Sequence, residues 1–336
     1  MPARPRVLAA SLIAIAIVAA LPAPAPLAQS TGFTLAVLRR DGVIIPFASF
    51  EGNRWVNRWP AEQAMEVPIG LGDVPKEWWP NRTITLEWKA WPLSAVALPI
   101  KVVAPTMVKV HCARRVALRT DYVSVEPPPP PEVQPYPKNG LAVAGNAVVE
   151  AIQLVPQVSP VAAALVEHVR NEVLEAESKR AREWKQVWEH PMNEKGRAAV
   201  PLTLELLART PGLETGSSVY YFEGVKKYPG FYQYPPAQLV VPGRLPTREM
   251  CEFITFAGGW FFDLGKPGAS KASAGAELTN CNREGVAYTL PLGALRVAGR
   301  LFWVVQTSGW NFERYDVIEI KSKEVKVALS VGGGGC

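Results

Sequence analysis

Histidine is almost missing from this chain, with three in 336 residues, and that scarcity excludes most imidazole chemistry at the outset. His168 precedes Glu172 and His190 precedes Glu194 at the i,i+4 spacing of a ligand pair on one helix. The two histidines stand 22 residues apart, roughly 33 Å along a straight helix, so the pairs cannot share an ion. HExxH is absent, and so are the GxSxG elbow, the SxxK pair, GxGxxG and the P-loop pattern. Neither a metal nor any cofactor is expected.

Cysteine is also scarce. Cys112, Cys251, Cys281 and Cys336 show no CxxC or Cys/His spacing, which argues against zinc. The formal charge is +6 without a clustered basic face, so no nucleic-acid partner is expected. Beyond residue 30 no apolar run is long enough to span a bilayer.

What is present begins with "MPARPRVLAASLIAIAIVAALPAPAPLAQS". Arg4 and Arg6 precede an uncharged apolar run from Val7 to Leu21, followed by small residues and prolines. That is the layout of a secretory signal, expected over residues 1–28. The run of about 15 residues falls short of the ~20 that span a membrane as a helix. Removing Arg4 and Arg6 with this segment lowers the formal charge from +6 to +4. The expected location is therefore outside the cytoplasm: periplasmic, secreted or on the cell surface.

Residues 31–125 read as an N-terminal antiparallel β domain. Asp41-Gly42 between two apolar runs predicts a tight hairpin, because glycine accepts positive φ without penalty. In "APTMVKVHC" the alternation puts Val108, Val110 and Cys112 on an inward face, with Lys109 and His111 outward. "EPPPPPEVQPYPK" then forms a Pro-rich linker over 126–138, favouring extended polyproline II.

Residues 139–336 read as a long amphipathic helix packed on an antiparallel β meander. Ser159 is a good N-cap, Pro160 suits the first helical position, and Val161, Leu165, Val169 and Val173 recur at helical spacing. Glutamates crowd the first half of this helix and lysines and arginines the second, matching the helix dipole. The helix is expected to run to Pro191, with His190 bonding its last carbonyls. Short strands follow from Val219 onward, and "RLFWVVQ", apolar on both faces, is expected to be central. The fold class is mainly β (α+β). Paired glycines at Gly42/Gly52 and Gly299/Gly309 leave an incomplete, propeller-like β fold as the alternative.

Six tryptophans fall in the first domain: Trp55, Trp59, Trp78, Trp79, Trp88 and Trp91. Trp78 and Trp79 sit between loop-like flanks, and adjacent residues on an extended chain point oppositely, so one of the two is expected to be exposed for stacking on a sugar. An even cysteine count in an oxidising compartment favours disulfides. Cys251 and Cys281 flank a loop rich in Gly, Ala and Ser, which leaves Cys112 for Cys336. Cys281–Cys336 with Cys112–Cys251, or a Cys336 bond between chains, are the rivals. The four glycines before Cys336 are expected to act as a leash that lets its thiol find a partner.

The leading expectation is an exported binding or structural module rather than an enzyme, with a polysaccharide or other cell-envelope component as ligand. The alternatives are a glycoside-type hydrolase with paired carboxylates, for which Asp263, Asp316 and Glu319 are candidates, and a protein-assembly partner.

Overall fold

A computed structural model describes residues 32–59, 71–76, 78, 87–93, 96–185, 190–231, 252–266, 268–283 and 285–336. The expected signal, Trp79 and Cys251 lie outside the described residues. In chain order the elements begin with β1 (Phe33–Arg39), β2 (Val43–Glu51), β3 (Arg54–Asn57), β4 (Trp88–Pro92), β5 (Leu98–Ile100), β6 (Val102–Val110), β7 (Ala113–Thr120), β8 (Lys138–Gly145), β9 (Val149–Glu150) and β10 (Gln153–Leu154). Helices α1 (Pro160–Trp184) and α2 (Glu194–Ala199) follow. Then come β11 (Thr203–Pro211), β12 (Ser218–Phe231), β13 (Glu252–Asp263), β14 (Ser270–Thr279), β15 (Tyr288–Val297), β16 (Arg300–Ser308), β17 (Phe312–Ile320) and β18 (Val325–Gly335).

Among the described residues all the pairings are antiparallel, and the strands form three sheets. The first runs β5-β4-β8-β1-β2-β7-β6, with β3 also on β2; the second runs β10-β11-β12-β13-β14; the third runs β18-β17-β16-β15-β9. The third sheet lies in the middle. Its Phe302, Val304, Tyr315 and Val317 join the core of the first sheet, while Leu301, Trp303, Val305 and Ile320 pack on Val219, Trp260 and Phe262 of the second. Successive side chains of a strand point to opposite faces, so β16 must be apolar on both faces over Leu301 to Val305, and burial continues through Gln306 and Thr307. The expectation drawn from "RLFWVVQ" holds. The fold is a β-rich α+β arrangement, and stacked sheets replace the propeller-like alternative.

Helix α1 covers the outer face of the second sheet. Ser159 accepts from the Ala162 amide at 3.2 Å and Pro160 opens the helix, as expected of an N-cap followed by proline. Ala162, Leu165, Val169 and Val173 are buried against Leu204, Leu207, Tyr220, Phe222 and Phe261. Val161, expected in this stripe, is 42% exposed; Ala162 takes the inward place. The helix ends at Trp184 rather than near Pro191.

Two strands were not expected. "TLELLARTP" forms β11, whose bulge at Leu204/Leu206 breaks the simple alternation. β14 occupies much of the Gly/Ala/Ser-rich stretch read as a loop. Its Ala272 and Ala274 pack beneath the helix, where small side chains let helix and strand come close. Intrinsic strand preference for such residues is weak, and tertiary packing overrides it.

The boundary expected at 126–138 does not separate one sheet from another. β8 starts at Lys138 and inserts between β4 and β1, so the chain leaves the proline stretch back into the first sheet. That stretch is tied down at its end. Gln134 accepts from the His111 amide and donates to the Lys109 carbonyl, and the Arg39 guanidinium lies 3.8 Å from the Tyr136 ring centre.

At the Asp41-Gly42 turn Gly42 has φ +77°, and a Cβ there would stand 2.4 Å from the Tyr122 carbonyl oxygen. The expected hairpin is formed, and only glycine fits it.

Candidate functional site

Strands β6 and β7 pair along their whole length, placing Lys109 directly opposite Arg114 and Ala104 opposite Arg119. β2 meets β7 only at Val43↔Arg119 and Ile44↔Leu118. Beyond that point the strands diverge, and Trp59 fills in behind, its indole Nε1 donating to the Val116 carbonyl at 2.9 Å. On this divided sheet lies a cleft of about 320 Å³. It is lined by Arg39, Asp41, Val43, Thr106, Met107, Val108, Lys109, Arg114, Arg119 and Pro131.

Four of those residues are cationic and one is acidic. Asp41 is held by Arg39 through Nε and Nη2 at 3.1 and 2.8 Å, so its charge is already matched. Lys109 and Arg119 are exposed. Lys109 and Arg114 are direct cross-strand neighbours, so two cationic side chains reach the same stretch of the cleft.

Arg39 of the cleft lining pairs in register with Lys138 on β8, which belongs to a buried polar cluster. Lys138 Nζ contacts Glu313 at 2.9 Å and donates to the Tyr136 carbonyl at 2.6 Å, with both charged side chains almost wholly buried. The Tyr315 hydroxyl donates to Glu313. Burial pushes the Lys138 pKa down, against the pull of Glu313, and raises Tyr315 well above its ordinary value. Tyr315 also stacks near Phe47 and Trp59. This network ties β8 of the first sheet to β17 of the middle sheet.

The tryptophans divide differently from expectation. Trp78 is fully buried, as is Trp88; Trp59 is buried; Trp55 and Trp91 are half-buried against the same core. Trp78 is thus a core residue and presents no face to a sugar, and Trp79 lies outside the described residues. Among the described residues the exposed indole is Trp310, at 85%, in the turn between β16 and β17. Sequence reasoning passed over it, although the flanking "SG" and "N" are turn residues.

Cys112 and Cys336 are joined, with Cα atoms 5.1 Å apart. Cys281 is also disulfide-bonded; Cys251, its expected partner, lies outside the described residues. The surroundings of Cys112 differ from expectation. His111, with φ +51°, and Cys112 form the β6–β7 turn, where strand alternation stops, so His111 is buried and Cys112 exposed. The glycines are no leash either. Gly332 to Gly335 continue β18, and a Cβ at Gly334 would stand 2.4 Å from the Val110 carbonyl oxygen. At Gly334 glycine is required because two backbones meet there.

The other titratable clusters are enclosed. Glu177, fully buried on α1, accepts from Lys226 Nζ at 2.6 Å, from Thr255 at 2.5 Å and from the Tyr228 hydroxyl. His190 does not cap the helix: its Nε2 stands 3.8 Å from Glu177, and its ring lies edge-on to Tyr228 and Phe253. Burial lowers its pKa to about 4. His168 caps nothing either, its Nδ1 lying 2.7 Å from the Ala164 carbonyl on the helix surface. Glu223, between the outer and middle sheets, accepts from Tyr221 and the Thr289 amide, both at 2.8 Å, and burial raises its pKa.

The three candidate acids serve separate structural contacts. Asp263 accepts from the Gly265 amide at 2.9 Å. Asp316 is buried between Thr307 and Arg314. Glu319 is bidentate to Arg300 at 2.8 and 2.9 Å, and those bonds hold its pKa below the usual range. Among the described residues no group of His, Cys, Asp and Glu is placed to hold a metal, and no helix is long and apolar enough to cross a membrane.

No protein-family model, curated protein or solved structure matches the chain.

Proposed function

We propose that this protein is an exported binding module whose cleft on β6 and β7 takes an anionic group, a carboxylate or phosphate, of a cell-envelope polymer. One observation carries the reading: Arg39, Lys109, Arg114 and Arg119 open into a single cleft whose one acid is already matched by Arg39. Arginine and lysine side by side offer both bidentate and point-charge recognition of such groups. The residue 1–28 pattern and a disulfide across 224 residues of chain support an oxidising destination.

The test is retention of the purified protein, disulfides intact, on carboxylated, phosphorylated and uncharged polysaccharide columns. Charged polymers are expected to retain it in low salt and release it as salt rises, because screening weakens exposed ion pairs. Lys109→Glu/Arg119→Glu should abolish retention. Equal retention on the uncharged polymer, or full retention of the double variant, would overturn the reading.

A further inference from the structure

Trp310 is 85% exposed, whereas each of the other described tryptophans of the β sheets is at least partly buried. A turn needs no indole there. Gly309 and Asn311 supply the turn chemistry, and the Gly309 amide closes the loop on the Phe312 carbonyl at 3.0 Å. An indole left in water forgoes the burial that stabilises the other tryptophans and keeps its flat face open to a ligand.

Its position connects it to the cleft through fixed contacts. The Cys336 amide donates to the Asn311 carbonyl at 2.9 Å, one residue from Trp310. Cys336 is bonded to Cys112, and Cys112 lies in the turn between Lys109 and Arg114, both in the cleft lining. The turn is closely packed at its start, since a Cβ on Gly309 would stand 2.4 Å from the Phe312 ring. Disulfide and hydrogen bond thus link the turn that carries Trp310 to the β6–β7 turn, whose flanking strands carry Lys109 and Arg114.

We propose that Trp310 is a sugar-stacking subsite of the same site, so that the ligand is an anionic oligosaccharide with its acidic groups in the cleft and a ring on the indole. This inference rests on the cleft reading above. The indole face is electron-rich and amphipathic, and the CH groups on one face of a pyranose carry the complementary partial charge. A protein partner would call for a contiguous apolar patch; here the neighbouring Asn311 is polar and exposed.

The experiment titrates the exported form with four probes: a decameric oligouronate, a neutral oligosaccharide of equal length, polyglutamate of equal charge, and anionic phospholipid vesicles. The wild type is expected to bind the oligouronate more tightly than polyglutamate. Trp310→Ala should weaken the oligouronate about tenfold, the scale of one well-placed aromatic contact, and leave polyglutamate unchanged. Trp310→Phe should keep most of the affinity, and neither variant should move the thermal midpoint. If Trp310→Ala leaves oligouronate binding intact while Lys109→Glu/Arg119→Glu abolishes it, the subsite is overturned and the cleft reading stands. If the double variant still binds, or no probe binds the wild type, the cleft reading falls and takes the subsite with it. Vesicle binding lost in Trp310→Ala, with oligouronate and polyglutamate equivalent, would make Trp310 a membrane contact and overturn the subsite.

Discussion

Over the β10–β14 sheet lies a single helix with an aliphatic stripe, and the charges trapped beneath it are answered by neighbouring side chains: Glu177 by Lys226, Tyr228 and Thr255. Among the described residues no α-helix contributes to the core of the other outer sheet. It is finished by short strands, a proline stretch and a glycine tail, and its cations gather in an open cleft. Both regions contain a buried Lys–Glu pair, Lys226–Glu177 in one and Lys138–Glu313 in the other. The difference is what surrounds the pair. Under the helix the polar network is enclosed and acts as a fastener; in the first sheet the Lys138–Glu313 pair fastens β8 to β17, while Lys109 and Arg119 of the cleft still face water.

The contrast breaks most severely at Glu177. Glu177→Ala leaves Lys226 buried without its counter-charge, and the expected loss is about 3–5 kcal/mol, measured by urea denaturation. Anion binding, assayed where the variant remains folded, should be unchanged. Next comes the strap on the cleft side. Cys112→Ser/Cys336→Ser should lower stability by about 2–4 kcal/mol, chiefly by freeing the unfolded chain, and should also weaken ligand binding, which Glu177→Ala does not.

His190 sharpens the comparison through pH. Its ring is held neutral, with a folded pKa of about 4 against 6.5 when unfolded, so the unfolded chain binds the proton first. Its contribution is complete above pH 6.5, falls as the pH drops, and is lost below about pH 4; the total is roughly 3 kcal/mol. Denaturation midpoints at pH 7 and 4.5 should therefore differ less in His190→Phe than in the wild type. A wild-type-like difference in the variant would show that other groups carry the acid sensitivity.

A smaller effect is expected at Gly334→Ala, whose Cβ meets the Val110 carbonyl oxygen; overpacking of this kind costs about 1–3 kcal/mol, read from the thermal midpoint. The smallest stability effect belongs to Lys109→Glu/Arg119→Glu, within about 0.5 kcal/mol because both side chains are exposed, although it is expected to remove anion binding.

Much of the fold was legible residue by residue. Ser159-Pro160 announces the helix, Asp41-Gly42 the first hairpin, and the unbroken apolar run of β16 its place between two sheets. Each is a local rule applied to a local pattern. β14 was illegible because alanine, serine and glycine have little strand preference, and only the helix above explains their size. The site was harder. Lys109 and Arg114 are ordinary strand residues until β6 and β7 pair, and Arg39 joins them only because the sheet order brings β1 within one strand of β7, with β2 between.

By itself the sequence determined the β-rich class, the helix start, the central strand and the poverty of imidazole and motif-based chemistry, since these follow from periodicity, caps, turns and composition. Only the tertiary structure decided which tryptophan faces water and which fills the core. It also decided that the terminal glycines form strand rather than tether, and that four cations share one cleft. The physical reason is common to all three: exposure, close backbone approach and charge clustering are properties of segments distant in sequence brought together, and no single segment carries them.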